Sequence, residues 1–187
     1  MANVNENKVI TRLLVANRGE IARRIMRTAR DMGISTVSVY AETDAMAPFV
    51  TEADIAIPLN GRTSAETYLD TAQILAACKD TGADAVHPGY GFLSENADFA
   101  RAVTDAGIAW IGPSPDAIVQ MGDKLSAKQL MQEAKVPTLP AKELKSDEDH
   151  GNAAQEIGYP VLVKASAGGG GRGMRIVEGP DDLDDAI

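Results

Sequence analysis

A single cysteine, Cys78, stands among the 187 residues, so an internal disulfide is excluded and a reducing compartment is the expected setting. Cys78 closes the apolar helical run Ile74-Leu75-Ala76-Ala77, which marks the thiol for core packing rather than chemistry. Basic residues are in deficit, 18 against 27 acidic ones, for a net charge of −9. That balance argues against nucleic acid or an anionic membrane as a partner. No apolar run approaches the ~20 residues that span a bilayer. The polar stretch Met1–Lys8 has no apolar segment of the kind a signal peptide carries. A cytoplasmic protein is expected. What is present is ordinary for a globular chain, 44% hydrophobic and 24% charged, with room for one full domain and part of a second.

The first two-thirds alternate strand and helix. Leu13–Ala16 reads as a strand, and Asn17-Arg18-Gly19-Glu20 turns into a helix running to about Met32. Ile21, Ile25, Ala29 and Met32 form its expected buried stripe, with Arg23, Arg27 and Arg30 pointing elsewhere. Gly33 stops it, and Ile34–Tyr40, rich in β-branched residues, is the next strand. Strands follow at Asp54–Pro58, Ala83–His87 and Ile108–Ile111, separated by helices over about Ala65–Lys79 and Asn96–Ala106. Apolar strands joined by helices imply a parallel sheet covered on both faces, a doubly wound, Rossmann-like α/β domain.

After Gly112-Pro113 the pattern changes. Helices are expected over Pro115–Met121 and Lys124–Lys135, the second capped by Asp123, then an extended segment through Val136-Pro137-Thr138-Leu139-Pro140. The acidic stretch Ser146–His150 opens a further surface helix, with His150 facing solvent. Tyr159–Lys164 and Met174–Val177 are strands around a glycine-rich loop, and Pro180-Asp181-Asp182 begins a helix.

That loop contains Gly168-x-Gly170-x-x-Gly173, a literal match to the dinucleotide fingerprint, but the fingerprint needs a helix after it and here a strand follows. Glu42, at the end of the second strand, imitates the acid that binds a ribose hydroxyl. Yet the true first strand–helix turn has one glycine where three are needed. A Walker loop is excluded because no Gly-Lys-Ser/Thr closes it. What remains is a hairpin loop whose backbone N–H groups can approach phosphate oxygens, with Lys164 four residues ahead of Gly168 as a point charge. A flexible surface turn is the plainer alternative.

Several segments together resemble the biotin carboxylase family, the ATP-grasp subunits or domains of biotin-dependent carboxylases. They are Ala16-Asn17-Arg18-Gly19-Glu20-Ile21-Ala22, the run His87-Pro88-Gly89-Tyr90-Gly91-Phe92-Leu93-Ser94-Glu95-Asn96, Ile111-Gly112-Pro113, Met121-Gly122-Asp123-Lys124, and Lys164 through Met174. They occur in the family's order and span residues 12 to 187. Gly91–Asn96 and Met121–Lys124 look more like acyl-CoA carboxylases than pyruvate carboxylase. One departure is Ala167, where some members carry a fifth glycine.

The resemblance implies ATP-dependent carboxylation of biotin on a carrier, with bicarbonate as the carbon source and carboxyphosphate as intermediate. It implies ATP contacts from Lys124, Lys164, Gly170 and Gly171, although on spacing alone Lys124 reads as a solvated helix lysine. Tyr90 and Gly91 match positions toward the biotin and bicarbonate end, unless the run only fixes a tight interdomain turn. Arg24, Arg27 and Asp31 match a homodimer interface and share a helix face at i, i+3, i+7, which a solvated face would also do. The residues divide as an α/β domain at 1–121, a helical linker at 122–137, and the incomplete start of an ATP-grasp lid at 138–187. Mg2+ is an implied cofactor, but its ligands and the catalytic residues are expected beyond Ile187. Implied partners are a biotin carboxyl carrier protein or domain, a carboxyltransferase subunit and a second copy of the chain. Another ATP-grasp ligase, or a non-catalytic assembly module, remain alternatives.

Overall fold

The computed structural model describes residues 9–122, 124–142, 150–164 and 173–187, with the backbone alone at 124–126 and 129. The chain divides into two compact units, Met1–Asp123 and Lys124–Ile187.

The first unit carries five parallel strands: β1 (Arg12–Val15), β2 (Ser35–Ala41), β3 (Ile55–Leu59), β4 (Ala85–His87) and β5 (Ala109–Trp110). Their order is β3-β2-β1-β4-β5. Helices α1 (Gly19–Asp31) and α2 (Pro48–Thr51) cover one face, while α3 (Thr71–Thr81) and α4 (Ala97–Asp105) cover the other; α5 (Pro115–Gly122) follows. The pleat explains the division. Leu13 and Val15 point into the core beneath α1 and α2, and Leu14 and Ala16 into the core beneath α3 and α4. Both faces of β1 are therefore apolar, as a doubly wound sheet requires.

Helix α1 buries Ile21, Ala22, Ile25, Met26 and Ala29, one continuous stripe at helical spacing. Full burial of each large side chain contributes at most about 1.5–3 kcal/mol. Met32 does not join the stripe, contrary to expectation. The helix ends at Asp31, the chain turns out through Gly33 at φ +74°, and Met32 is left 69% exposed. Cys78 is buried in the core beneath α3, and burial pushes its thiol up to about 12.

Helix α3 begins at Thr71, six residues later than its apolar pattern suggests. Glu66 accepts from the N–H groups of Arg62 and Thr63 and from the Thr63 hydroxyl, tying residues 62–66 into a local turn. Side-chain bonds of this kind compete with a helix. Asp70 then caps α3 by accepting from Ala72 and Gln73.

The second unit holds α6 (Lys124–Glu133), α7 (His150–Ile157) and the antiparallel pair β6 (Val161–Lys164) and β7 (Met174–Val177). Helix α6 stops early, with Lys135 at φ +58°. Ala154, Val161, Val177 and Leu183 form a small core. On the opposite face of the hairpin the paired Leu162 and Ile176 are exposed. His150 is partly buried rather than solvent-facing, because Ala153 and Ala154, on its own helix face, pack into the unit. Asp123 and residues 146–149 lie outside the described residues. Beyond β7 the chain makes two 3-10 turns, Pro180–Asp182 and Asp184–Ala186, in place of the expected helix. Four aspartates in five residues favour only a helix's first turn, and the buried Leu183 anchors the segment instead.

Candidate functional site

In sequence the chain runs β1, β2, β3 outward from the middle of the sheet, then returns to β4 on the other side of β1. The carboxyl ends of β1 and β4 therefore flank the switch in strand order, where open α/β sheets bind ligands. Asn17-Arg18-Gly19-Glu20 leaves one of these ends and His87–Asn96 leaves the other. Residues far apart in sequence meet there.

Asn17 joins the two segments. It is 2% exposed, and its Nδ2 donates to the carbonyls of Pro88 at 2.7 Å and Tyr90 at 2.8 Å. Its Oδ1 accepts from the Arg18 N–H at 2.9 Å. Gly89, at φ +68°, lies against this side chain: a Cβ there would stand 2.7 Å from Asn17 Nδ2. His87 accepts the Gly89 N–H on Nδ1 at 3.0 Å. Burial lowers its pKa and the nearby Arg24 guanidinium lowers it further, so the neutral ring keeps Nδ1 free to accept. The Tyr90 hydroxyl donates to Glu20 in the first turn of α1, and that bond raises the phenol's pKa. Tyr90 is 62% exposed and Gly91 takes φ +68°.

A second network braces the same edge. Arg18 donates through Nε to Asp44 Oδ2 at 2.7 Å and through a terminal nitrogen to Oδ1. The Tyr68 hydroxyl donates to Asp44 Oδ2 at 2.6 Å and accepts the Ala41 N–H at 3.0 Å. The Tyr68 ring lies 5.3 Å from that of Phe92, which sits at φ +47° in the His87–Asn96 run. Burial alone would raise the Asp44 carboxyl, but the bonds from Arg18 and Tyr68 outweigh it and hold the group below its ordinary value of 3.8. A depressed carboxylate pKa adds stability that is complete above the unfolded value and lost as pH falls through the folded one. Asp44→Asn is therefore expected to lower stability by about 1–2 kcal/mol at pH 7, an amount limited by the half-exposed Arg18. Denaturant titrations should show the difference from wild type shrinking below about pH 4. A difference that persists unchanged there would exclude the ion pair as its source.

Asn17, Arg18, Glu20, Asp44 and Tyr68 were not singled out by sequence reasoning as site residues, because their roles depend on partners 24 to 73 residues away. The expected site residues fall in both units. Tyr90 and Gly91 lie at the strand ends of the first. Arg24, Arg27 and Asp31 are exposed on α1 and form no ion pair among the described residues, whereas Arg23 pairs with Glu52 at 2.6 Å. Lys164 ends β6 in the second unit, opposite Met174, with its side chain exposed. Lys124 is the first residue of α6, and its side chain lies outside the description. Gly170 and Gly171 lie outside the described residues altogether. Among the described residues no group of three or more His, Cys, Asp or Glu side chains is placed to hold a metal ion.

Residues 9–118 match the family model of the biotin carboxylase N-terminal domain. The chain belongs to the biotin carboxylase family. Residues 123–187 match the ATP-binding domain of the carbamoyl-phosphate synthase L chain. Among curated relatives, the biotin-dependent acyl-coenzyme A carboxylase alpha3 subunit of Mycobacterium leprae is 50% identical over 93% of this chain and 29% of its own. The biotin carboxylase of a Nostoc species is 50% identical over 92% of this chain and 39% of its own. The crystal structure of a biotin carboxylase–beta-gamma-ATP complex from Campylobacter jejuni superposes with a TM-score of 0.86 at 46% identity, covering 95% of this chain and 40% of that one. The chain thus spans well under half the length of those relatives. The sequence match and the parallel sheet agree on the doubly wound, biotin carboxylase-like first domain.

Proposed function

We propose that this chain supplies part of an ATP-dependent biotin carboxylase, in which bicarbonate is activated as carboxyphosphate and the carboxyl group passes to biotin on a carrier. The observation that carries the reading is the family match over residues 9–118, joined to an ATP-binding match over 123–187 in the family's order. Lys124, Lys164, Gly170 and Gly171 are the proposed contacts to ATP. An exposed ammonium ending an otherwise apolar strand, just ahead of the glycines, fits a phosphate contact. ATP supplies the phosphoryl group, and the protein's share is to hold and neutralise it while Mg2+ is held by residues outside this segment. Tyr90 and Gly91 take the biotin or bicarbonate end, supported by their place at the switch in strand order.

Arg24, Arg27 and Asp31 form the proposed contact with a second copy, consistent with three exposed charges on one helix face that form no ion pair among the described residues. The division at 1–121, 122–137 and 138–187 follows the same resemblance. A carrier protein or domain and a carboxyltransferase are the further partners, and an acyl-CoA carboxylase in the cytoplasm is the proposed setting. No described helix is long and apolar enough to cross a membrane. Bicarbonate-dependent ADP release, stimulated by free biotin, tests the reading in a catalytically active polypeptide carrying these residues. Release indifferent to biotin would point to another ATP-grasp ligase.

A polypeptide of residues 1–187 alone is expected to show no bicarbonate-dependent ATP hydrolysis above the blank. Curated relatives of the family extend this alignment by more than its own length. Turnover by the 187 residues alone would place the whole catalytic apparatus within them and overturn that expectation.

A further inference from the structure

We propose that Asn17 is a positioning residue, whose buried carboxamide fixes the Pro88–Gly91 backbone so that the Gly91 N–H faces away from the strand ends. The proposal rests on the reading that puts Tyr90 and Gly91 at the biotin or bicarbonate end. The loop needs an external brace. Gly89, Gly91 and Phe92 all take positive φ, at +68°, +68° and +47°, and the Phe92 backbone is unfavourable for any residue with a Cβ. Its internal bonds are few: Gly89 N–H to His87 Nδ1, Ser94 N–H to the Gly91 carbonyl at 3.0 Å, and Asn96 N–H to the Leu93 carbonyl at 3.1 Å.

Asn17 supplies the brace with three side-chain hydrogen bonds. Both Nδ2 protons go to loop carbonyls, and Oδ1 takes the Arg18 N–H, which fixes the amide's orientation. Aspartate would set a carboxylate against two carbonyl oxygens. Glutamine would push its extra methylene into the space that the missing Cβ of Gly89 leaves. Because a trans peptide directs C=O and N–H to opposite sides, a Tyr90 carbonyl turned to Asn17 turns the Gly91 N–H outward. That N–H has no acceptor among the described residues and is available to a ligand oxygen. Glu20 holds the Tyr90 phenol from α1, so one residue sets the loop's backbone and another its side chain.

Amide hydrogen exchange tests the brace. In Asn17→Ala the amides of Gly89 and Ser94 should exchange at least about tenfold faster relative to Val37 and Val39 in β2, since loss of two buried hydrogen bonds opens the loop locally. Ile74→Val, a change in the core that holds Val37 and Val39, should speed no loop amide more than those of β2. Loop exchange that merely follows global stability in both variants overturns the brace. If Asn17→Ala does not fold, the Asn17 side-chain amide protons of the unaltered protein decide: slow exchange supports the brace, and exchange as fast as that of exposed Asn60 overturns it. In an active polypeptide carrying these residues, Asn17→Ala should raise KM for free biotin about tenfold and leave KM for ATP within about twofold. Faster loop exchange with an unchanged biotin KM keeps the brace but overturns its role in the reaction, together with the placement of Tyr90 and Gly91.

Discussion

Replacing Lys164 by alanine in an active polypeptide that carries this chain should lower kcat/KM for ATP by about 10²–10³-fold, the range for removing one preorganised charge from a developing anion. The strand around Lys164 explains why the effect should be confined to chemistry. Val161 is buried in the small core of the second unit, while the Lys164 side chain lies in solvent at the loop end of the hairpin. Truncating an exposed side chain that makes no core contact changes stability by no more than about 0.5 kcal/mol. The melting temperature should therefore stay put while ATP use collapses. Lys164→Arg should restore only part of the activity, because a planar fork does not reproduce a compact ammonium. An alanine variant with unchanged kcat/KM would remove Lys164 from the ATP site and favour a structural or assembly role for the hairpin.

Much of the fold was legible because its signals are local. The apolar runs at β1, β2 and β4, and the hairpin strands on either side of the glycines, needed nothing beyond neighbouring residues to be placed. Errors arose where a side chain overrode the pattern. Glu66 tied down the Arg62–Thr63 turn and delayed α3, and the outward turn at Gly33 took Met32 out of the stripe. The site was legible in a different way. Lys164 stood out by its place at the end of an apolar strand ahead of the glycines, and His87–Asn96 through resemblance, which names positions without saying what holds them. Asn17 appeared only as one letter of a motif, yet its function depends on carbonyls 71 and 73 residues away that strand pairing brings beside it. The pairing of Val15 with His87 in β1 and β4 makes that meeting possible. Arg18, Asp44 and Tyr68 come together for the same reason, through three segments no short motif can span.

Gly89→Ala should destabilise the first unit by about 2–4 kcal/mol, a large effect for a loop substitution. Two costs add. At φ +68° an L-residue with a Cβ is disfavoured by roughly 1–2 kcal/mol. The new Cβ would also lie 2.7 Å from Asn17 Nδ2 and 3.0 Å from its Cγ, so the carboxamide must move and its bonds to Pro88 and Tyr90 weaken. Gly91 provides the comparison within the same loop. It has the same φ, but nothing lies within 4 Å of a Cβ built there, so Gly91→Ala should cost only the backbone part. The difference between the two alanine variants, read from urea midpoints at constant m, isolates the contact with Asn17. A double-mutant cycle sharpens it: Asn17→Ala removes the 2.7 and 3.0 Å contacts and leaves only the residue-17 Cβ at 3.1 Å, so Gly89→Ala should then cost clearly less than it does beside Asn17. If Gly89→Ala costs the same whether or not Asn17 is present, its penalty is backbone conformation alone and the interlock between β1 and the His87–Asn96 loop is not what holds the loop in place.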